Sequence, residues 1–153
     1  MLSSLVVTVE DPRSLEAAAL LAELDGDLLE RYPRHAIHGV DLCQLENGRG
    51  FFVLARLDGR PVGTGAVRIL EPGVGEVKRM YVRPEARRRG VARAVLVKLE
   101  ESARDTGIHT LRLETGTRQP EAIALYEGEG YRPIPCFGEY ASDPFSACYE
   151  KTL

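Results

Sequence analysis

The chain has 153 residues, 44% of them apolar and 28% charged, with three cysteines and a formal net charge of -3. That is the length and balance of one soluble domain with a sizeable core. It argues against a nucleic-acid binder that works through bulk positive charge, and against a disulfide-built scaffold.

Cys43, Cys136 and Cys148 are scattered and have no CxxC spacing, so no zinc site is expected, and their odd number fits a reducing compartment. The start, MLSSLVVTVEDPR, lacks a basic beginning and has only a short apolar run, so no signal peptide is expected, and no apolar stretch has the length of a membrane span. A cytoplasmic protein is expected, with residues 1–153 forming a single domain.

Residues 4–9, SLVVTV, read as a first strand. EDPRSLEAAALLAELDGDLLERYP follows as a helix, with Asp11 as N-cap and Pro12 in the first turn. Leu21, Leu24 and Leu28 give it an apolar stripe, while Gly26 lowers helix propensity by about 1 kcal/mol against alanine. Residues 34–50 are irregular, with two histidines, a turn at ENGRG and a short helix expected near 34–45. FFVLARLDGRPVGTGAVRIL reads as a hairpin turning at Asp58-Gly59. EVKRMYV, residues 76–82, is the next strand.

A helix is expected from about Arg89 to Asp105, with Val91, Val95 and Leu99 on one face and Gly107 at its end. HTLRLET (109–115) reads as a strand and QPEAIALYE (119–127) as a short helix. GYRPI and FSACYEKTL close the chain as strands. The order β-α-β-β-β-α-β-α-β-β predicts a mixed α/β sheet with helices on both faces.

One segment conflicts with simple electrostatics. RPEARRRGVARAVL puts Arg87, Arg88 and Arg89 where a helix begins, although the free N–H groups there already carry partial positive charge. A bound anion resolves the conflict. A strand, a short loop and then Gly90 and Ala92 opening a helix make an anion site, with Gly90 letting an anion approach the backbone closely. The segment is neither GxxxxGK[ST] nor GxGxxG, so it is no Walker loop or dinucleotide fingerprint. A solvated arginine run is the alternative.

Here the chain resembles the GNAT superfamily of N-acetyltransferases. VKRMYVRPEARRRGVARAVLVKLEESARDTG is similar to the family's acetyl-CoA-binding core, with Arg87, Gly90 and Ala92 on its short signature, and AIALYEGEGYRPI is similar to a later family element. The resemblance implies a mostly antiparallel central sheet with a bulged, splayed middle strand. It implies acetyl-CoA as co-substrate, with its diphosphate on the backbone of Arg88, Arg89, Gly90, Val91, Ala92 and Arg93. The pantetheine arm would run along Met80, Tyr81 and Val82, beside Ala122 and Gln119. Gln119 departs from the family's usual asparagine.

The resemblance also implies direct attack by an amine. Tyr126 would protonate the departing thiolate, and Glu76 would remove the amine's proton, directly or through water. Glu76 also reads as a solvent-facing strand-end residue, and Tyr126 as core. Residues two apart on a strand share a face, so Lys78 is expected to flank Glu76 unless a bulge intervenes.

The acceptor side is expected to use Arg31, Tyr32, Arg34, His38, Lys78 and Arg79. Together they suggest a cationic pocket for a small amine bearing a carboxylate; a solvated helix end is the alternative. Protein lysines or N-termini as acceptors, and a non-catalytic cofactor sensor, stay open. No metal, nucleic acid or membrane is expected as partner, and a homodimer is compatible with the family. LETGT and GEYASDP also resemble a bacterial subgroup labelled indoleacetate acetyltransferase. Indoleacetate has no amine, so the label is not adopted.

Overall fold

The computed structural model describes residues 4–153; Met1 to Ser3, the start of the stretch read for a signal peptide, lie outside it. The elements are β1 (Leu5–Val9), α1 (Leu15–Arg31), β2 (Gly50–Leu57), β3 (Arg60–Glu71), β4 (Val74–Val82), α2 (Val91–Asp105), β5 (Thr110–Gly116), α3 (Pro120–Gly128), β6 (Arg132–Ile134) and β7 (Ser146–Thr152). This is the expected order, and single 3-10 turns at 34–36 and 42–45 stand where a short helix was expected.

The strands form one sheet in the order β1-β2-β3-β4-β5-β7-β6. Neighbours are antiparallel except β4 and β5, whose parallel pairing requires the crossover that α2 supplies. Alternation along β2 sorts the core into two layers. Phe52 and Leu54 pack with Ala17, Leu20 and Leu24 of α1. Val53 and Ala55 pack on the other face with Val91, Val95 and Leu99 of α2. The β2–β3 turn puts Asp58 at φ 50° and Gly59 at φ 82°, the two-residue hairpin read from Asp-Gly.

Two expectations are corrected. Helix α1 is capped by Ser14, whose hydroxyl accepts from the Ala17 N–H at 3.2 Å. Asp11 instead forms the turn before it, its carboxylate accepting from the Arg13 N–H at 2.9 Å. A serine three residues before Ala17 offers the cap after Pro12 has already spent its turn on the chain reversal.

Cys136 and Cys148 are bonded to each other, their Cα atoms 5.1 Å apart; only Cys43 is free. The pairing of Ile134 with Cys148 in the β6–β7 ladder brings Cys136 to its partner, which spacing along the chain does not reveal. The odd cysteine count therefore carries no argument for a reducing compartment. No helix among the described residues is long and apolar enough to cross a membrane.

Candidate active site

Strands β4 and β5 pair only from Val74–Val77 to Thr110–Leu113 and then separate. On its other side β4 carries a bulge: Thr64 faces Tyr81 while Ala66 faces Lys78, which leaves one extra residue on β4. Arg79 takes it up at φ 58°, held by the Thr64 hydroxyl donating to its carbonyl at 2.8 Å. A cavity of about 580 Å³ opens at this split and reaches the start of α2.

At the α2 end the backbone is bare. Gly90 is the N-cap at φ 78°, with no side-chain cap and no acidic residue in the first turn. The N–H groups of residues 88–93 have no hydrogen-bond partner among the described residues. A Cβ at Gly90 would meet nothing within 4 Å, so glycine is needed there for its backbone angle and not for space. Arg87, Arg88, Gly90, Val91, Ala92 and Arg93 line the cavity, but Arg89 does not. Arg87 donates back to the Val82 carbonyl at 3.0 Å, and Arg93 is paired with Glu129.

Along the middle, Met80, Tyr81 and Val82 form one wall and Gln119, Ala122 and Tyr126 the other. The Gln119 side-chain carbonyl accepts from the Gly116 N–H at 3.2 Å and, at 3.4 Å, from the Tyr32 hydroxyl. Its amide nitrogen has no hydrogen-bond partner among the described residues. Tyr32 itself is not on the wall. It seats the end of α1 against Gly116, where a Cβ would lie 1.7 Å from its hydroxyl oxygen. Tyr126 is 5% exposed, and its hydroxyl bonds to no described residue. Burial, helped by the charge of Glu114, pushes its phenol well above the ordinary range, so it keeps its proton at any working pH.

The acceptor end departs from the sequence reading. Glu76 is fully buried and is not part of the cavity wall. Its carboxylate accepts from Arg68 at 2.7 Å and from the Tyr140 hydroxyl at 2.6 Å. Lys78 does flank it, at 3.8 Å, because the bulge begins one residue later. The Lys78 ammonium donates to the Tyr140 hydroxyl at 2.6 Å and to the His38 carbonyl at 3.2 Å. Burial pulls the Lys78 ammonium down, with the charge of Glu76 opposing, and pushes the Tyr140 phenol up. Glu76 thus sits behind Lys78 and Tyr140, without the access to an amine that a direct base requires.

Nor is the expected cationic pocket a set of free charges. Arg31 is paired with Glu121 at 2.7 Å and lies 3.6 Å from Asp27. Arg79 is paired with Asp25 beneath α1, and His38 bonds Asp143 at 2.7 Å. Arg34 is not on the wall at all. The carboxylate-bearing acceptor therefore loses its electrostatic basis.

Sequence reasoning passed over Glu114, Tyr140 and Asp143. Glu114 lines the cavity and bonds the Ser146 hydroxyl, which donates to it at 2.6 Å. Burial pushes its carboxyl up, and Ser146, His38 and Lys78 only partly offset this. Period-two alternation in HTLRLET gave a signal: Leu111 and Leu113 are buried in the α2-side core, which turns Arg112 and Glu114 to the opposite face.

Residues 17–131 match the family model described as Acetyltransferase (GNAT) family. The chain is 40% identical over 151 residues to an IAA acetyltransferase of Azospirillum brasilense, covering 98% of this chain and 99% of that one. A crystal structure from Klebsiella pneumoniae, described as a candidate acyl-CoA N-acyltransferase, superposes with a TM-score of 0.86 at 37% identity and 97% coverage of both chains. A GNAT acetyltransferase from Elizabethkingia anophelis, solved with acetyl-CoA bound, shares the fold at a TM-score of 0.72 and 15% identity, covering 97% of this chain and 98% of that one.

Proposed function

The chain belongs to the acetyltransferase (GNAT) family and is an acyltransferase, and from that premise we propose that it carries acetyl from acetyl-CoA to a primary amine of a small molecule by direct attack in a ternary complex. One observation carries the reading: a single cavity joins the unpaired N–H groups at the start of α2 to Tyr126 and the β4/β5 split. The N–H groups of residues 88–93 bind the diphosphate of the co-substrate, supported by the partial positive charge of the helix end. The pantetheine arm lies along Met80–Val82, where the bulge and the split free backbone groups from the ladder. The free amide nitrogen of Gln119 and the small side chain of Ala122 face it from across the cavity.

With the diphosphate fixed at one end, the thioester falls near Tyr126. Its phenol protonates the thiolate as the carbon–sulfur bond opens, a general-acid contribution of about 10²–10⁴ in rate. No cysteine takes part, since Cys136 and Cys148 are bonded and Cys43 is off the cavity wall. Supplying acetyl-CoA with a panel of amino acids, polyamines, aminoglycosides, arylalkylamines and lysine peptides, and following release of free thiol, tests the reading. Release with a small primary amine supports it. Release with peptides alone would move the acceptor to protein. Binding of acetyl-CoA by calorimetry without release for any amine would overturn transfer.

A further inference from the structure

Three carboxylates line the cavity: Asp27, Glu114 and Glu121. Asp27 and Glu121 flank Arg31, at 3.6 and 2.7 Å. Glu114 has no cation within salt-bridge distance among the described residues; its one hydrogen bond is the hydroxyl of Ser146. It stands at the first β5 position beyond the last β4–β5 pair, Val77 with Leu113, and so at the throat of the split. Tyr126 lines the same cavity. A carboxylate with open lone pairs, in the cavity that also holds the acid serving the thiolate, is placed to meet an incoming ammonium.

We propose that Glu114 is the base of the transfer, the group that binds the acceptor's ammonium and removes its first proton. The inference rests on the acetyl-transfer reading above. An alkylammonium gives one proton to the Glu114 carboxylate, and its freed lone pair forms the carbon–nitrogen bond to the thioester carbonyl. The carbon–sulfur bond then breaks as the thiolate takes the proton of Tyr126. The second proton on nitrogen returns to the Tyr126 phenolate, and Glu114 releases its own to solvent. One proton leaves per turnover, and both side chains end as they began.

The surroundings suit that task. Ser146 of β7 donates to Glu114, Lys78 of β4 and His38 favour its charged form, and Asp143 opposes it. Its charge in turn helps raise the phenols of Tyr32, Tyr126 and Tyr140. Burial outweighs these partners and leaves the carboxyl more basic than an exposed glutamate, which shortens the gap to an amine. Presenting a neutral alkylamine at pH 7.4 otherwise costs about 4 kcal/mol.

A pair of acceptors of equal size separates this role from a structural one. Ethylamine is almost wholly protonated at neutral pH and needs a base; methoxyamine is already neutral there. Loss of thioester absorbance from acetyl-CoA is followed for wild type and Glu114→Gln with each amine at high concentration, against a no-enzyme blank. For the variant, kcat/KM with ethylamine is expected to fall about a hundredfold at pH 7. With methoxyamine it should stay within about threefold, and the ethylamine deficit should close as pH approaches the amine's own pKa of about 10. Equal loss with both amines, or loss with neither, overturns the base. Folding is controlled independently: a carboxyl raised by burial is a charge the fold disfavours at pH 7, so Glu114→Gln should melt no lower than wild type there. The transfer reading fails differently, through silence of the wild type toward the whole amine panel.

Discussion

The two ends of the cavity handle charge in opposite ways. At the start of α2, positive groups collect with almost nothing to answer them: six backbone N–H groups without partners among the described residues, and Arg88 exposed beside them. At the acceptor end nearly every polar group is matched: Arg68 and Lys78 by Glu76, Arg31 by Glu121, and the His38 ring by its hydrogen bond to Asp143. Unanswered charge marks where a ligand of opposite sign supplies the missing partner. Matched charge holds shape, and what stands out there is the group left over, Glu114.

If the matched end is structural, removing its centre should cost stability first. Glu76→Ala strands Arg68 and Lys78, with Lys78 buried, and takes away the acceptor of the Tyr140 hydroxyl. Loss of one partner of a buried pair typically costs 3–5 kcal/mol, and Arg68 retains some access to water, so about 3 kcal/mol is expected in urea unfolding. A loss below about 1 kcal/mol together with a collapsed turnover would return Glu76 to the chemistry.

The bare end should respond in the reverse sense, through binding and not stability. Gly90→Glu puts a carboxylate where the diphosphate is proposed to bind and forces a φ of 78° on a side-chain residue, which costs about 1–2 kcal/mol of folding. Acetyl-CoA affinity by calorimetry should fall at least about a hundredfold, or about 2.7 kcal/mol, while the domain still unfolds cooperatively. Retained affinity would mean that the unpaired N–H groups hold something else.

Tyr126 lies between the two ends and should behave like neither. Tyr126→Phe removes a hydroxyl that bonds no described residue, so stability and acetyl-CoA affinity should stay within about threefold of wild type. Turnover should fall about a hundredfold. An equal fall in affinity would make Tyr126 a wall residue rather than the acid.

The same contrast decides what the sequence could show. The bare end is built from one run of chain, strand to loop to helix, so the arginine run and Gly90 pointed to an anion site there, while Met80–Val82 and residues 119–126 were implied by the family resemblance alone. The acceptor end is assembled across long separations: His38 meets Asp143 from 105 residues away, and Tyr140 meets Glu76 from 64. Local pattern supplied only fragments of it, such as Lys78 sharing a face with Glu76. Whether Glu76 of β4 or Glu114 of β5 lines the cavity depended on where the two strands part, and that is a property of the pairing. The Cys136–Cys148 bond was hidden for the same reason, since it needs the β6–β7 ladder to bring its ends together.

The smallest effect asks whether position matters within the bare end itself. Arg88 and Arg89 are adjacent, exposed and free of ion pairs among the described residues, yet only Arg88 is on the cavity wall. If the phosphates are held by geometry, Arg88→Ala should weaken acetyl-CoA binding about fivefold, roughly 1 kcal/mol, and Arg89→Ala less than twofold. The Arg88 deficit should shrink in about 1 M salt, where the Debye length falls to about 3 Å and exposed charges stop contributing. Equal losses at both positions, both removed by salt, would show a diffuse cationic field drawing the cofactor in. The N–H groups of residues 88–93 would then carry the site alone.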